Sequence, residues 1–318
     1  SSRSTIFNWE YFKLEDLLIE ENGIPIRSLI VSTWRSGSTF LGAILDAHPG
    51  NFYFFEPLID FKVQIRGPPQ ATKALHRVKE LFSCKYTGSS QTLTHHIISL
   101  FLTNFWKQCR IHKNVCYDDR FLTGMCKLFP FQSMKLVRLR LNIAQELLSD
   151  EELAVRIVLL VRDPRGILQS RSKKSWCSRV GSDCTTDPTS LCADLVSDHT
   201  IAMELKCIKY FSRVIRYEDL AIDPYEQVKE LYKFYGRYFH PNVKTFLDTH
   251  TTVEINGPAS TYRNSKTTAF HWRNDMKFEE VEEIQRSCSS AMKLWGYLPA
   301  MNATHMKEFN PLADYVVL

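Results

Sequence analysis

Several features that would place this chain in other classes of protein are missing from its sequence. None of its apolar runs approaches the roughly 18 to 20 residues of a membrane-spanning helix, and its first residues lack the apolar core of a signal peptide. It also lacks repeats of about 20 to 50 residues, which argues against solenoids and propellers. The 318 residues are 44% hydrophobic and 24% charged, so we expect one large globular domain.

The sequence has only a small excess of positive charge. Its 40 Lys and Arg residues exceed its 35 Asp and Glu residues, giving a formal net charge of +5. This surplus suits an anionic ligand but lacks the strongly polybasic character of proteins that bind duplex nucleic acid. We therefore expect no nucleic-acid partner.

The nine cysteines lack the paired C-x2-C spacing of a zinc module, because neighbouring cysteines are at least seven residues apart. We expect disulfides and no bound metal, with the pairing left open because four cysteines alone allow three connectivities. Disulfides and the N-glycosylation sequon at Asn302 favour the lumen of the secretory pathway. We accordingly expect a targeting segment in front of this lumenal chain.

Three short apolar runs, each followed by a loop and then by helical periodicity, predict strand-loop-helix units. The predicted strands cover residues 28–33, 155–161 and 213–217. The second run is almost entirely apolar, which is typical of a central strand in a parallel sheet. Strands that alternate with helices predict an α/β fold with a central parallel sheet flanked by helices.

Two stretches without this pattern are predicted to be cysteine-containing insertions. Residues 62–130 contain a G-P-P turn and aromatic-rich helical segments. Residues 173–200 are rich in Ser, Asp, Thr and Cys, which predicts an exposed loop tied by a disulfide rather than a sheet element. This second insertion could cover a substrate cleft.

The loop at residues 35–39 (R-S-G-S-T) is the first candidate anion site, because it joins a predicted strand to a helix N-terminus. Gly37 allows close approach of the backbone to a ligand, and Arg35 adds a planar cationic group suited to phosphate or sulfate. Ordinary helix capping by Ser and Thr is the alternative. The motif G-x4-G-K-[ST] is absent, which argues against a nucleoside triphosphatase.

A second candidate anion site, at residues 162–166 (R-D-P-R-G), follows the best predicted strand. Open α/β sheets bind their ligands at the carboxyl ends of strands, so Arg162 is well placed to meet an anion. The alternative is a surface arginine that pairs with Asp163 or caps a carbonyl. Ser170, in the following helix, could donate to the same anion or face solvent.

Together these loops resemble the motifs of Golgi carbohydrate sulfotransferases, in particular the group that sulfates the 6-hydroxyl of galactose, N-acetylgalactosamine or N-acetylglucosamine. In that family an R-S-G-S-[ST]-F loop, here residues 35–40, binds the 5′-phosphosulfate of 3′-phosphoadenosine 5′-phosphosulfate (PAPS). An L-V-R-D-P-R segment, here residues 160–165, binds the 3′-phosphate. Further matching segments stand at residues 216–220 (R-Y-E-D-L), 262–265 (Y-R-N-S), 271–273 (H-W-R) and 294–298 (L-W-G-Y-L).

This resemblance implies a P-loop-like three-layer fold, with residues 1–318 as a single lumenal sulfotransferase domain. It implies a PAPS-dependent carbohydrate 6-O-sulfotransferase acting on a glycosaminoglycan or a glycoprotein glycan. It also implies the Golgi lumen, as the soluble part of a type II membrane protein anchored through a preceding segment. The residues implied in donor binding are Arg35, Ser36, Gly37, Ser38, Thr39, Phe40, Arg162, Ser170 and Arg263. Two alternatives stay open: a P-loop phosphotransferase, and a nucleotide-binding, glycan-binding protein without turnover.

The acceptor hydroxyl must lose a proton, and the predicted general base is Glu56, which stands where the family has F-E-P-L. We expect its apolar neighbours to raise its pKa; a structural carboxylate is the alternative role, and His48 is the rival base. Lys135 and Arg138 resemble the family's K-x-V-R segment and are predicted to hold sulfate or acceptor, the alternative being a solvated strand edge. Arg35 is expected to stabilise charge on the transferring group without a metal.

Overall fold

The computed structural model describes residues 23–61, 64–86, 118–177, 184–208, 211–251 and 265–313. Five parallel strands form one sheet in the order β2-β3-β1-β4-β5. This arrangement confirms the predicted α/β fold with a central parallel sheet. The strands are β1 (Ile26–Val31), β2 (Asn51–Phe55), β3 (Phe131–Leu136), β4 (Val155–Val161) and β5 (Phe211–Arg216).

The predicted strands correspond to β1, β4 and β5. The prediction for β4 has the observed bounds, whereas β1 ends two residues before the predicted end and β5 begins two residues before the predicted start. Strands β2 and β3 were not predicted. β2 forms an edge of the sheet and β3 lies between β2 and β1, so both contribute strand ends to the same edge as the predicted loops.

Alternate residues of the central strands enter two different hydrophobic clusters, one on each face of the sheet. Leu29 and Val31 pack into the larger cluster, whereas Ile30 packs into the second. Helices cover both clusters, which gives three layers. The helices are α1 (Ser38–Asp46), α2 (Gln70–Phe82), α3 (Asp119–Lys127), α4 (Leu141–Ala144), α5 (Pro164–Ser172), α6 (Pro188–Leu205), α7 (Tyr217–Ile222), α8 (Pro224–Phe234), α9 (Pro241–His250), α10 (Ser265–Thr268), α11 (Trp272–Asp275), α12 (Phe278–Ser287), α13 (Ser289–Leu294) and α14 (Ala303–Glu308).

The two predicted insertions are not uniformly peripheral. Helix α2, within the first stretch, buries Ala74, Val78 and Phe82 in the larger core cluster; residues 87–117 lie outside the described residues. The second stretch was predicted to be a loop, but its C-terminal half is helix α6. That helix begins with the side chain of Asp187 accepting from two backbone N–H groups and with Pro188 in its first turn.

Three disulfides confirm the preference for disulfides over zinc. They join Cys84 to Cys126, Cys177 to Cys184 and Cys192 to Cys288. Cys207 is an exposed thiol, and Cys109 and Cys116 are outside the described part of the chain. Within that described part, no group of three or more His, Cys, Asp or Glu side chains could hold a metal ion. None of the helices there is long and apolar enough to cross a membrane.

Candidate functional site

A cleft of about 370 Å³ opens at the carboxyl edge of the sheet, where the segments following all five strands converge. This is the edge at which open parallel sheets bind ligands. The structure brings most of the residues singled out in the sequence to this cleft. Those that line it are Arg35, Gly37, Ser38, Thr39, Phe40, Glu56, Lys135, Arg162 and Ser170.

The loop after β1 is shaped by local hydrogen bonds. The buried hydroxyl of Ser36 donates to the carbonyl of Thr33 at 2.9 Å, so this side chain serves the loop itself and does not line the cleft. Arg35 and Gly37 have positive φ angles of 71° and 92°, which direct the chain into α1. Within the described residues, no side chain caps the N-terminus of α1, so its first N–H groups are available to a ligand at the candidate anion site.

Tyr217, the first residue of α7, packs against this loop. A β-carbon on Gly37 would lie 2.2 Å from Cδ2 of the Tyr217 ring, so only glycine fits here. The guanidinium of Arg162 lies over the same ring, 4.6 Å from its centre. Sequence reasoning noted Tyr217 only as part of R-Y-E-D-L and gave it no role in the site.

Arg162 is buried in the wall of the cleft, with 7% of its surface exposed. It donates from Nη1 to the Arg35 carbonyl at 3.0 Å, and its Nε is buried without a hydrogen-bond partner in the described part of the chain. Pairing of Arg162 with Asp163 is therefore wrong, but the other form of the alternative, an arginine that caps a carbonyl, is present at the Arg35 carbonyl. Asp163 pairs instead with Arg165 at 2.7 Å, and both of these side chains are fully buried.

The two candidate anion loops contact each other directly. The Arg35 Nε donates to the Ser170 hydroxyl at 2.9 Å, which joins the loop after β1 to helix α5. Arg171, the next residue, is buried and donates to the Trp34 carbonyl at 3.3 Å and to the Thr33 hydroxyl at 2.8 Å. Ser170 thus lines the cleft, whereas the buried Arg171 does not and instead holds the loop after β1 through these two hydrogen bonds.

The carboxylate of Glu56 lies between two cations. One oxygen accepts from Lys135 Nζ at 2.5 Å and the other accepts from Arg138 Nη1. Burial acts to raise the pKa of Glu56, as the sequence suggested, but Lys135 and Arg138 outweigh it. The pKa of Glu56 therefore lies below its usual range, and the expectation of a raised pKa is wrong.

Lys135 is one of the most deeply buried polar residues of the site. It lies on β3, an interior strand, with 1% of its surface exposed, so the alternative of a solvated strand edge is wrong. Its Nζ is 3.9 Å from the centre of the Phe55 ring. Burial lowers the pKa of the Lys135 ammonium group, and the attraction of Glu56 counteracts this only in part.

His48 is separated from this cleft. It lies beyond the end of α1, near the amino ends of β2 and β3, where its Nδ1 accepts from the Gly50 N–H at 3.1 Å. Two other histidines line the cleft instead: His250, which the sequence did not single out, and His271, which it gave only as part of the H-W-R segment. Arg263 lies outside the described residues.

The fold and the cleft together define a class of α/β protein in which two arginine-bearing loops meet at the carboxyl ends of parallel strands. The chain belongs to the sulfotransferase domain family, whose family model matches residues 25–296. This confirms the family to which the sequence motifs pointed.

Curated relatives match a similar share of the chain. Carbohydrate sulfotransferase 5 of Mus musculus is 26% identical over 86% of this chain and 81% of its own length. Carbohydrate sulfotransferase 6 of Homo sapiens is 27% identical over 89% of this chain and 83% of its own length.

Solved sulfotransferase structures are also similar. A sulfotransferase domain from the curacin biosynthetic pathway has a TM-score of 0.47 and 17% identity, covering 84% of this chain and 98% of its own. A mouse sulfotransferase in complex with PAP has a TM-score of 0.41 and 10% identity, covering 88% of this chain and 92% of its own.

Proposed function

We propose that this protein transfers a sulfuryl group from PAPS to a sugar hydroxyl, specifically the 6-hydroxyl of galactose, N-acetylgalactosamine or N-acetylglucosamine in a glycan. The observation that carries the proposal is the meeting of Arg35, Arg162, Glu56 and Lys135 in one cleft. Membership of the sulfotransferase family supports the reaction, and the similarity to carbohydrate sulfotransferases supports a sugar acceptor.

The residues present fit a donor that is anionic at both ends. The loop after β1 offers the N-terminus of α1 and the Arg35 guanidinium to the phosphosulfate. Arg162 lines the cleft with a buried Nε that has no partner within the described residues, and a phosphate would satisfy that donor. We assign the 3′-phosphate to Arg162 and the 5′-phosphosulfate to the Arg35 loop.

Transfer requires charge stabilisation on the sulfuryl oxygens, and this chain supplies it from two sides. The Arg35 guanidinium and the Lys135 ammonium group line the same cleft, and both are cations held in place by neighbouring residues. Fixed donors of this kind stabilise charge that develops in the transition state. PAPS supplies the sulfuryl group, whose bond to the phosphate oxygen breaks as the acceptor oxygen bonds to sulfur.

Glu56 accepts the proton that the acceptor hydroxyl loses. Its two cationic neighbours keep its pKa low, so the group is a carboxylate at neutral pH; each oxygen accepts from one cation and keeps a second lone pair that can receive a proton. Lys135 and Arg138 also fix the carboxylate in one orientation. Once its proton has moved to Glu56, the acceptor oxygen that bonds to sulfur carries no positive charge.

The proposed location is the Golgi lumen, with membrane attachment only through a preceding anchor. The three disulfides support an oxidising compartment, because disulfides are rare in cytosolic proteins. Similarity to carbohydrate sulfotransferases supports a glycosaminoglycan or a glycoprotein glycan as the proposed partner, and the small net charge of +5 is the reason that we propose no nucleic-acid partner.

The test is incorporation of labelled sulfate from PAPS, in the presence of EDTA, into glycans that terminate or repeat in each of the three sugars. Each acceptor is compared with its 6-deoxy analogue, and we expect transfer to one parent glycan and none to its analogue. Transfer to both members of a pair would contradict the 6-position. Phosphate transfer from ATP with magnesium would favour a phosphotransferase, and PAP binding without product would favour a binding protein.

A further inference from the structure

The N-glycosylation sequon at residues 302–304 (N-A-T) has no part in the proposed reaction. It is the one N-x-[ST] sequence among the 318 residues, and its middle residue is not proline. The structure places it between α13 and α14, with Asn302 directly before the first residue of α14. The geometry around Asn302 decides whether this asparagine can carry a sugar in the folded protein.

The sequon lies on the surface of the protein. All three of its residues are exposed, and the preceding residue, Met301, has 72% of its surface exposed. The backbone of Asn302 is extended, with a φ of −165° and a ψ of 176°, before the chain turns into α14. An N-linked glycan is bulky and needs a surface position of this kind, so the folded protein has room for one here.

The two polar atoms of the Asn302 side-chain amide have different roles. Its Oδ1 accepts from the His305 N–H at 2.8 Å, which caps the N-terminus of α14. Its Nδ2 has no hydrogen-bond partner within the described residues. N-linked glycans are attached to Nδ2, and Oδ1 remains a carbonyl oxygen after attachment. The asparagine can therefore carry a sugar and cap the helix at the same time.

The helix that follows the sequon lies outside the cleft. Met306, on its buried side, packs in a cluster with Trp272 and Ala300. The Trp272 ring in turn lies 4.2 Å from the guanidinium carbon of Arg165, a residue of the second candidate anion loop. Of the described residues 301–308, none lines the cleft. A glycan on Asn302 is therefore attached away from the proposed donor and acceptor sites.

We propose that Asn302 carries an N-linked glycan, while the same side chain caps α14 through Oδ1. The sugar donor is an oligosaccharide linked to a lipid pyrophosphate, which the secretory pathway supplies. Nδ2 loses a proton to the transferase and bonds to C1 of the first sugar. The bond between C1 and the pyrophosphate oxygen breaks, and the lipid pyrophosphate leaves with the electron pair. This inference rests on the proposed lumenal location, which the three disulfides support independently of the sequon.

The test expresses the 318-residue chain behind a cleavable signal peptide in eukaryotic cells and recovers protein from the medium and from microsomes. Trypsin releases residues 294–307 as one peptide, in which Asn302 is the only asparagine. Mass spectrometry before and after treatment with peptide:N-glycosidase F measures the glycan, because this enzyme removes the sugar and converts its asparagine to aspartate. We expect most of the peptide to carry a glycan and to be converted by the enzyme.

Four substitutions separate the sugar from the helix cap. Thr304→Val should abolish glycosylation and keep the cap, whereas Thr304→Ser should keep both. Asn302→Asp should also abolish glycosylation and keep the cap, because aspartate caps helices about as well as asparagine does. Asn302→Ala should lose both, so it should unfold at a lower denaturant concentration than Thr304→Val. The PAP affinity of all four variants should stay within about twofold of the wild-type value.

An unmodified Asn302 peptide from protein whose disulfides have formed would overturn the glycosylation site. Absence of both the glycan and the disulfides would contradict the lumenal location as well. Equal unfolding midpoints for Asn302→Ala and Thr304→Val would overturn the cap. Failure of the proposed function is distinguishable, because a glycosylated Asn302 in protein that transfers no sulfate to any glycan would keep this site and reject the sulfotransferase reaction.

Discussion

The ring of Tyr217 occupies the space beside the α-carbon of Gly37, so that a β-carbon there would lie 2.2 Å from the ring's Cδ2. The same ring lies 4.6 Å from the guanidinium carbon of Arg162. One aromatic side chain from the end of β5 therefore touches both candidate anion loops. The proposed donor site depends on contacts between the segments that follow three strands, so we expect a substitution in one of these segments to affect donor binding by the others.

Gly37→Ala should destabilise the protein by more than about 2 kcal/mol, because alanine disfavours a φ of 92° and its methyl group would overlap the Tyr217 ring. It should also weaken PAP binding. Chemical denaturation and calorimetric titration with PAP measure the two effects. Gly67→Ala is the control, because nothing lies within 4 Å of a β-carbon there. Similar behaviour of the two variants would contradict the packing described for Gly37.

Arg162→Ala should weaken PAP binding by about ten- to a hundredfold, because a charge-assisted contact of about 1.5 to 3 kcal/mol is lost. A more specific test compares PAP with adenosine 5′-phosphate, which lacks the 3′-phosphate. Its affinity should change far less than that of PAP. An equal loss of affinity for both nucleotides would contradict the assignment of Arg162 to the 3′-phosphate. The PAP affinity of Arg162→Lys should lie between those of the wild-type protein and Arg162→Ala.

Glu56→Gln should reduce kcat by about a hundredfold or more and leave PAP affinity unchanged, because the glutamine amide cannot accept the proton. The pH dependence gives a second measurement. Because the pKa of Glu56 is lowered, the carboxylate stays ionised as pH falls, so the acid limb of kcat/KM should lie below pH 4.5. An acid limb near the usual histidine pKa of about 6.5 would point to an imidazole of the cleft instead.

The disulfide between Cys192 and Cys288 should contribute more stability than that between Cys177 and Cys184. The first closes a sequence separation of 96 residues and the second a separation of 7, and loop entropy predicts about 4.7 and 2.4 kcal/mol respectively. Replacing each pair with alanine and measuring denaturant unfolding tests this order. A larger loss for the short loop would show that packing against Trp34 matters more than chain entropy.

Glu218 should make the folded protein less stable as pH rises from 4.5 to about 7. It is fully buried, and burial together with the neighbouring Asp163 raises its pKa to about 7. Between those pH values the folded state holds a proton that the unfolded chain has released, so stability falls with pH and then levels off. Glu218→Gln should remove up to about 1.4 kcal/mol per pH unit of that slope.

Unfolding measured across this interval tests the prediction. Glu226→Gln is the control, because that carboxylate is more than half exposed on α8. Parallel stability curves for wild type and Glu218→Gln would contradict the assignment.

Strands β1, β4 and β5 were predicted from the sequence, whereas the apolar strand β2 and the more polar strand β3 were not. β4 is a continuous apolar run, whereas β3 carries three buried polar residues within six positions. Their partners come from distant parts of the chain. Ser133 accepts from Asn51 at 2.7 Å, and Lys135 pairs with Glu56. Because the polar side chains of β3 pair with residues from distant parts of the chain, its sequence has no pattern of apolar residues that would indicate a buried strand.

The same reason explains the direction of the Glu56 pKa. Its apolar neighbours in sequence indicated burial, which is observed, but Lys135 and Arg138 follow 79 and 82 residues later in the chain. The positions of the loops that follow the strands, by contrast, can be predicted, because the carboxyl ends of parallel strands lie at one edge of the sheet. Sequence reasoning therefore brought Arg35, Arg162 and Ser170 to one cleft, but gave no account of the Tyr217 ring between the loops.

The most direct test of the central claim is a paired measurement of sulfate incorporated into glycan and of adenosine 3′,5′-bisphosphate released from PAPS, with EDTA present. We expect equal amounts of the two products, formed only when the acceptor glycan is present, and a large loss of both in Glu56→Gln. Release of the nucleotide without sulfated glycan, or no release with any acceptor of the panel, would contradict the account of this cleft as a carbohydrate sulfotransferase site.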